Sequence, residues 1–210
     1  MPFLSLNPDG FEMATEGKCE GQGRNNANNV DLNRNFPDQY REPNWIHDEK
    51  TQSNRKLEVE TVAMTRWIRE SHFVISLNLH AGSEVASYPY DDGPKGSQYS
   101  AAPDDAFFKH LAHVYADNHA TMHDQDRRAC NRNEPSFHNG ITNGADWYPV
   151  AGGMEDFNYL HGDCYEITIE LTCCKYPMAS ELESEWHRNK GCLLFFVSTT
   201  DCYNNFRCNY

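Results

Sequence analysis

Two apolar runs, well separated along this chain, end in side chains that can carry out chemistry. The run 73–79 leads directly into His80, and the run 164–171 contains Glu170 near its end. Both are short and nearly continuous, which is typical of strands buried within a sheet. Helical patterns alternate with them, over residues 57–70, 104–123 and 180–190. This alternation predicts an α/β fold with a mixed central sheet flanked by helices.

The helical patterns also predict which side chains face the core. The expected buried positions are Val59, Val62, Ala63, Trp67 and Ile68 on the first helix, and Phe108, Leu111, Val114 and Tyr115 on the second. A further short strand is expected over 1–6. The Gly-rich stretch 138–159 is expected to form a loop, and the tail after Lys190 fits no clear element.

Chain length and net charge limit the number of domains and the kinds of ligand to be expected. The 210 residues suit one domain of ordinary size. With 31 acidic and 18 basic side chains, the formal charge is −13, which repels nucleic acid and anionic membranes. The same field attracts cationic ligands, including peptides that end in Lys or Arg. No apolar run reaches the length of about 18 residues that a transmembrane segment needs.

The stretch 31–38, Asp-Leu-Asn-Arg-Asn-Phe-Pro-Asp, holds the strongest binding signal. Its adjacent Asn33 and Arg34 offer a planar cationic fork with an amide donor beside it. Such a pair can hold a carboxylate by parallel hydrogen bonds. Taken alone, the stretch has a plainer interpretation, a polar loop in which Arg34 makes a structural salt bridge.

Three further side chains are candidates because of where they lie. His80 and Glu170 end apolar strands, at the sheet edge where α/β folds place ligands. Tyr148 lies within 143–153, whose glycines would let a flap move over a bound substrate. Each also has a plainer interpretation, as a hydrogen-bonded structural His, a solvated Glu and a surface aromatic.

Six motifs together occur in an order that resembles the N/E, or regulatory, subfamily of zinc metallocarboxypeptidases. In chain order they are NPDGFE (7–12), DLNRNFPD (31–38), NLHAGS (78–83), YPYDD (88–92), NGADWYPVAGGMEDFNY (143–159), and YEITIEL (165–171) followed by CCKYP (173–177). The resemblance covers about residues 1–190. It implies a zinc-carboxypeptidase-like fold and zinc-dependent removal of the C-terminal residue of peptides and proteins.

The resemblance assigns catalytic roles to the matching residues. His80 matches the last zinc-ligating His of the family. Glu170 matches the general base that acts on zinc-bound water. Arg24 matches the side chain that stabilises the developing oxyanion, and Tyr148 matches the flap Tyr that closes over the peptide end.

The resemblance also implies a substrate-binding set. Asn33 and Arg34 match the pair that holds the terminal carboxylate. Asp91 matches an acidic residue in the pocket for the terminal side chain. Glu155 stands where the subfamily usually carries Gln and is expected to line the same pocket. Two carboxylates there imply a preference for peptides that end in Lys or Arg.

One part of the family pattern has no counterpart in the sequence. The family takes its other two zinc ligands from a His-x-x-Glu motif upstream of NPDGFE, and none of the ten histidines precedes a Glu at that spacing. The expectation is an N-terminally truncated catalytic domain over 1–190 and a divergent tail over 191–210, without zinc or turnover as written. The alternative is a non-catalytic module that binds peptide C-termini.

Eight scattered cysteines favour a compartment that permits disulfides. The resemblance points the same way, because it implies an extracellular or secretory-pathway protein. Cys130 and Cys164 flank the expected flap and are a candidate pair. His119 and His123, four apart on an expected helix, are a candidate metal pair, but no acidic residue lies between them. A solvated helix face is therefore the favoured interpretation of those two histidines.

Overall fold

The computed structural model of the protein describes residues 5–41, 56–94, 96 and 98–206. The helices described are α1 (Pro8–Met13), α2 (Val59–Ser71), α3 (Asp105–Ala116), α4 (Gly144–Trp147), α5 (Met154–Gly162) and α6 (Leu182–Phe206). The strands described are β1 (Ile75–His80), β2 (Val85–Tyr88), β3 (Ile141–Asn143) and β4 (Tyr165–Glu170). No helix in this part of the chain is both long and apolar enough to cross a membrane.

The strands form one mixed sheet in the order β1-β4-β2-β3. β1 runs parallel to β4, with His80 opposite Glu170. β2 runs antiparallel to β4, with Val85 opposite Glu170, and β3 lies parallel to β2. The two strands predicted from the sequence are therefore neighbours that end at the same level, so their last side chains meet. The predicted α/β fold with a mixed central sheet is confirmed.

Alternation along β4 sends successive side chains to opposite faces of the sheet. Ile167 and Ile169 are fully buried in the main core, on the face covered by α3 and α6. Each such apolar side chain contributes about 1.5–3 kcal/mol to folding by its burial. Glu166, Thr168 and Glu170 project from the other face, beneath α5. This polar face leads towards the site.

Helix α2 forms where the sequence predicts a helix, but its buried face differs. Val59 and Val62 are 77% and 51% exposed, whereas Thr61, Thr65 and Ile68 are buried. The Thr65 hydroxyl donates to the Val62 carbonyl at 3.0 Å, so it is satisfied within the helix. Because a Thr bonded to its own helix backbone can be buried, the apolar residues alone predict much of the face wrongly. Ile68 is buried as predicted, Trp67 is half-buried and Ala63 is exposed.

Helix α3 ends at Ala116, earlier than the predicted 123. The chain turns there, and the Nδ1 atom of His119 accepts a hydrogen bond from the Met122 amide at 3.0 Å. His119 is buried, so the expected solvated helix face carrying His119 and His123 is not formed. On the helix itself the prediction is better, because Phe108, Leu111 and Tyr115 are fully buried and Val114 is partly buried.

Several predicted boundaries need correction. The expected loop 138–159 contains β3, α4 and the start of α5, and β2 forms where no strand was expected. The unassigned tail continues α6, which buries Cys192 and Phe196 in the main core. Of the strand expected over 1–6, residues 1–4 lie outside the described residues, and Ser5 and Leu6 are not in a strand.

Two disulfides converge just beyond the end of β4, where Cys173 pairs with Cys130 and Cys174 pairs with Cys19. The expected pairing of Cys130 with Cys164 is wrong, and Cys164 is a buried free thiol. The reason is topological: Cys164 precedes β4 and Cys173 follows it, so they lie at opposite ends of the strand. The loop that carries Cys130 approaches the later end.

Candidate functional site

A cavity of about 570 Å³ opens where β1 and β4 end. Its wall contains most of the predicted site residues, namely Arg24, Asn33, Arg34, His80, Asp91, Tyr148 and Glu170. Glu155 is the exception, because it is fully buried and does not form part of the wall. The fold therefore gathers side chains from distant parts of the sequence into one site.

His80 and Glu170 face each other across the strand ends. The His80 Nδ1 atom lies 3.8 Å from Glu170 Oε1, which is too far for a hydrogen bond. Burial, followed by the charge of Arg24, lowers the pKa of His80 to about 4, so its imidazole is neutral near pH 7. Burial raises the pKa of Glu170 to about 7, while Arg24 and Lys175 oppose that rise. At neutral pH the two side chains are not an ion pair, and Glu170 can both accept and release a proton.

The fit of these residues to zinc is incomplete. A neutral imidazole is the form of His that binds zinc, so His80 suits a ligand position. Within the described ranges, however, no three His, Cys, Asp or Glu side chains are grouped so that they could hold a metal ion. Protein zinc sites take three or four protein ligands. The described residues thus supply one suitable ligand and do not complete a zinc site.

The stretch 31–38 begins with a 3₁₀ turn, Leu32–Arg34, that Asp31 caps. One Asp31 oxygen accepts from the Asn33 amide at 3.0 Å, and the other accepts from Arg24 Nε at 2.9 Å. An Asp that bonds the backbone two residues on favours such a turn. Asp31 therefore fixes Arg24 and Asn33 relative to each other. Its position two residues before Asn33 was the available signal for this role.

Asn33 and Arg34, which we call the carboxylate clamp, keep hydrogen-bond donors free for a ligand. The side-chain oxygen of Asn33 accepts from the Met154 amide at 2.9 Å, so its NH₂ group remains available to donate. The Nη1 atom of Arg34 donates to the Asn33 carbonyl at 2.7 Å. A guanidinium has five N–H donors, and Arg34 joins none of the ion pairs found among the described residues. The structural salt bridge considered for Arg34 is therefore not formed there.

Asn7 braces the loop that presents Arg24. Its side-chain NH₂ donates to the carbonyls of Gly23 and Arg24 at 3.2 and 3.1 Å, and its oxygen accepts from the Gly10 amide at 2.9 Å. Gly10 and Gly23 lie so close that a Cβ on Gly10 would be 2.4 Å from the Gly23 carbonyl oxygen. The motif NPDG thus acts as a support for Arg24 as well as a turn.

Asp91 supplies the acidic part of the cavity wall. Its carboxylate fits against two glycines, since a Cβ on Gly144 would lie 1.9 Å from Asp91 Oδ1 and one on Gly153 would lie 3.1 Å from Oδ2. Burial raises the pKa of Asp91 to about 7, and the charge of Arg34 opposes that rise. The Asp91 amide donates to Asp156 Oδ1 at 2.8 Å, a supporting role for Asp156 that the sequence alone does not reveal.

Glu155 lies behind this wall in a fully buried position. Neither of its carboxyl oxygens has a hydrogen-bond partner among the described residues, and neighbouring Thr168 makes no bond of standard geometry to it. Burial, followed by the charge of Asp91, raises the pKa of Glu155 well above its usual range. Burial therefore favours the protonated form of Glu155, and the acidic group that a ligand meets in the wall is Asp91.

Tyr148 stands at the rim of the cavity, after α4. Its ring packs edge-on against Trp147 with 4.8 Å between centroids, and the side chain as a whole is 43% exposed. Burial, followed by the charge of Glu170, nevertheless raises the pKa of Tyr148. Tyr148 therefore lines the cavity while part of it remains in contact with solvent.

Lys175 also lines the cavity, although no role was predicted for it. It belongs to the segment CCKYP, which is part of one of the six family motifs. Its side chain lies across Gly82, where a Cβ would come within 2.7 Å of Lys175 Cε. A basic residue just after a strand that ends in Glu170 was the available signal.

The chain is similar to known proteins over most of its length. A profile of the zinc carboxypeptidase family matches residues 3–191. The chain is 49% identical to carboxypeptidase D of Drosophila melanogaster over 197 residues, which cover 90% of this chain and 13% of that protein. It is 43% identical to carboxypeptidase M of Mus musculus, over 92% of this chain and 42% of that protein.

A solved structure, carboxypeptidase A from Helicoverpa armigera, has a similar fold. The TM-score is 0.62 at 15% identity, and the match covers 92% of this chain and 49% of that one. The chain spans less than half the length of each of these three proteins.

Proposed function

Because the chain belongs to the zinc carboxypeptidase family, we propose that its cavity holds the C-terminal residue of a peptide for zinc-dependent hydrolysis. One observation carries the proposal: Asn33, Arg34 and Glu170 line a single cavity. A carboxylate clamp beyond a general base accepts only chains that end there, which is the requirement for an exopeptidase.

Each catalytic side chain has a task that its surroundings support. Glu170 can accept a proton near neutral pH, since its pKa is raised to about 7 by burial. Arg24, oriented by Asp31, can donate to an oxygen that becomes negative. Tyr148 at the rim can cover the bound peptide end. Zinc is the cofactor proposed for the site, with His80 as one ligand and the other ligands from outside the described residues.

The proposed substrates are peptide or protein C-termini that end in Lys or Arg. Asp91 is the acidic group that such a side chain would meet in the wall. A cation close to it favours the ionised form of a carboxyl whose pKa is near 7. Glu155, which is buried behind the wall, is proposed to act on Asp91 and not on the ligand directly.

A second candidate function is binding of peptide C-termini without turnover. The incomplete set of metal ligands among the described residues favours it. A pure binding module has no use for a general base, however, and Glu170 and Arg24 are both in place. An extracellular or secretory location is proposed for either function, and the two disulfides support it.

The proposal is tested by calorimetric binding of acetyl-Gly-Ala-Arg with a free carboxylate, its C-terminal amide, and acetyl-Gly-Ala-Leu. The amide is expected to bind at least about tenfold more weakly, because it loses charge-assisted hydrogen bonds. The Leu peptide is also expected to be weaker. Arg34→Ala should abolish the difference between acid and amide. The control, Arg66→Ala, removes an exposed residue that pairs with Glu70 at 2.8 Å and should leave the difference intact.

Equal affinity for the acid and the amide in the unaltered protein would overturn the proposal. If the acid binds more tightly than the amide, adding zinc separates the two candidate functions. Release of free arginine from the acid peptide, dependent on Glu170, supports the enzyme. Stoichiometric binding with no release supports the binding module.

A further inference from the structure

Lys175 is a charged residue of the cavity wall for which the proposed function has no task. It follows the end of β4 and lines the same cavity as His80 and Glu170. Its whole side chain lies along Gly82, with a Cβ at that glycine falling 2.7 Å from Lys175 Cε and 3.6 Å from Cγ. The side chain can take this path only because residue 82 has no side chain.

The backbone on either side of Lys175 is held in place. The preceding Cys174 is disulfide-bonded to Cys19, and the Lys175 amide donates to the Cys19 carbonyl at 3.4 Å. The carbonyl of Tyr176 accepts from the Gly17 amide at 2.9 Å. Lys175 thus projects from a fastened segment of the cavity wall.

Charge changes sign along the cavity, and the sheet sets the order. β2 is antiparallel to β4, with Val85 opposite Glu170 and Ser87 opposite Thr168. The chain therefore runs towards the start of β4 before it reaches Asp91. Asp91 therefore lies on the side of Glu170 towards the start of β4. Lys175 lies on the opposite side, because it packs on Gly82, whose amide donates to the Thr172 carbonyl beyond the end of β4.

On this side of Glu170, Lys175 is a cation without an acidic partner among the described residues. Arg24, the other cation nearby, is paired with Asp31 at 2.9 Å. Lys175 takes part in no ion pair found within the described ranges. Its charge is available to a ligand.

We propose that Lys175 selects the residue that precedes the C-terminal one and favours Asp or Glu there. The inference rests on the proposed function, which puts the terminal side chain at Asp91 and the bond to be cut beside Glu170. The preceding residue then lies on the other side of Glu170, where Lys175 stands. A carboxylate there meets an opposite charge and a Lys meets a like charge, so the preferred peptide end is an acidic residue followed by Lys or Arg.

The test compares three peptides by calorimetry: acetyl-Gly-Glu-Arg, acetyl-Gly-Ala-Arg and acetyl-Gly-Lys-Arg. The Glu peptide is expected to bind about fivefold more tightly than the Lys peptide, with Ala between them, as befits a partly exposed ion pair. Lys175→Met should remove the difference, Lys175→Arg should keep it and Lys175→Glu should reverse it. Lys190→Met, at an exposed position on α6, is the matched control and should keep it.

The outcomes separate this inference from the proposed function. If peptide acids and their amides bind alike, the proposed function fails first. If the acids bind through their carboxylate but Glu and Lys peptides bind equally, the role of Lys175 is overturned. A preference for Glu that survives in Lys175→Met, with Lys175→Arg folded and active in binding, overturns it as well.

Discussion

The side-chain oxygen of Asn33 accepts a hydrogen bond from the backbone amide of Met154 at 2.9 Å. This bond joins the turn at 31–38 to the first residue of α5. It also settles which end of the Asn33 amide is engaged by the protein and which end is left for a ligand. Packing and recognition are therefore coupled in one side chain.

Asn33→Asp separates those two roles. The new carboxylate can still accept from the Met154 amide, so the free energy of unfolding should change little. It has no N–H to donate and it repels a peptide carboxylate, so affinity for acetyl-Gly-Ala-Arg should fall about tenfold or more. Asn33→Ala should in addition lose about 1 kcal/mol of stability. Urea unfolding and calorimetry measure the two effects; unchanged peptide affinity in Asn33→Asp would remove Asn33 from the clamp.

Gly144→Ala tests the packing of Asp91. The added Cβ would lie 1.9 Å from Asp91 Oδ1, so the carboxylate must move. We expect a loss of about 1–3 kcal/mol in stability and a smaller preference for Arg over Leu at the peptide end. Gly191→Ala is the control, because Gly191 lies on α6 and an added Cβ would meet no atom within 4 Å apart from its chain neighbours and its own helix backbone. This variant should gain up to about 1 kcal/mol. A Gly144→Ala protein with full preference for Arg would show that the preference does not depend on this position of Asp91.

Glu166 should make stability depend on pH. It is fully buried, and burial raises its pKa to about 7 although Ser76 and Asn158 donate hydrogen bonds to it. The folded protein therefore keeps a proton on Glu166 at pH values where the unfolded chain has lost it. The stability from this group is complete below about pH 4.5 and declines as pH rises to about 7.

Glu166→Gln removes that titration. Between pH 4.5 and 8, the stability of the variant relative to the unaltered protein should rise by an amount on the order of 3 kcal/mol. Urea unfolding at several pH values gives the difference, with the exposed Glu12→Gln as a control that should show no such trend. A difference between Glu166→Gln and the unaltered protein that is constant with pH would contradict the prediction.

The two disulfides should contribute unequally. Cys174 is paired with Cys19 over a sequence separation of 155, and Cys173 is paired with Cys130 over 43. Because a longer loop restricts the unfolded chain more, replacing the Cys19 pair by Ser should cost about 5 kcal/mol and the Cys130 pair about 4 kcal/mol. Unfolding under non-reducing conditions compares them. A larger loss for the shorter loop would show that loop length does not set the order.

The parts of this fold and site that the sequence predicts are those with local signals. His80 and Glu170 each end an apolar strand, so strand periodicity predicts that both lie at strand ends, and the parallel pairing of β1 with β4 then brings them together. Asn33 and Arg34 are adjacent in the chain, and one turn presents both. The carboxylate clamp could therefore be placed from local signals alone, and the strand-end pair once β1 and β4 are known to be neighbours.

What the sequence does not predict depends on contacts between distant segments. Glu155 was expected in the wall, but residues 154–162 form a helix that turns it into the interior. Cys164 was expected to bind Cys130, but β4 separates it from the loop that carries Cys130. The role of Lys175 depends on a glycine at 82 in another loop. In each case the deciding neighbour lies far away in the chain.

The position of β1 has a practical consequence for working with this protein. Within the described sheet, β1 pairs on one side only, with β4, and all of its residues are half-buried. Unpaired amides and carbonyls along such an edge are a template for a further strand, including one from another molecule. Binding constants are therefore best measured at concentrations where sedimentation detects a single species. Self-association would otherwise change the measured affinity for every peptide.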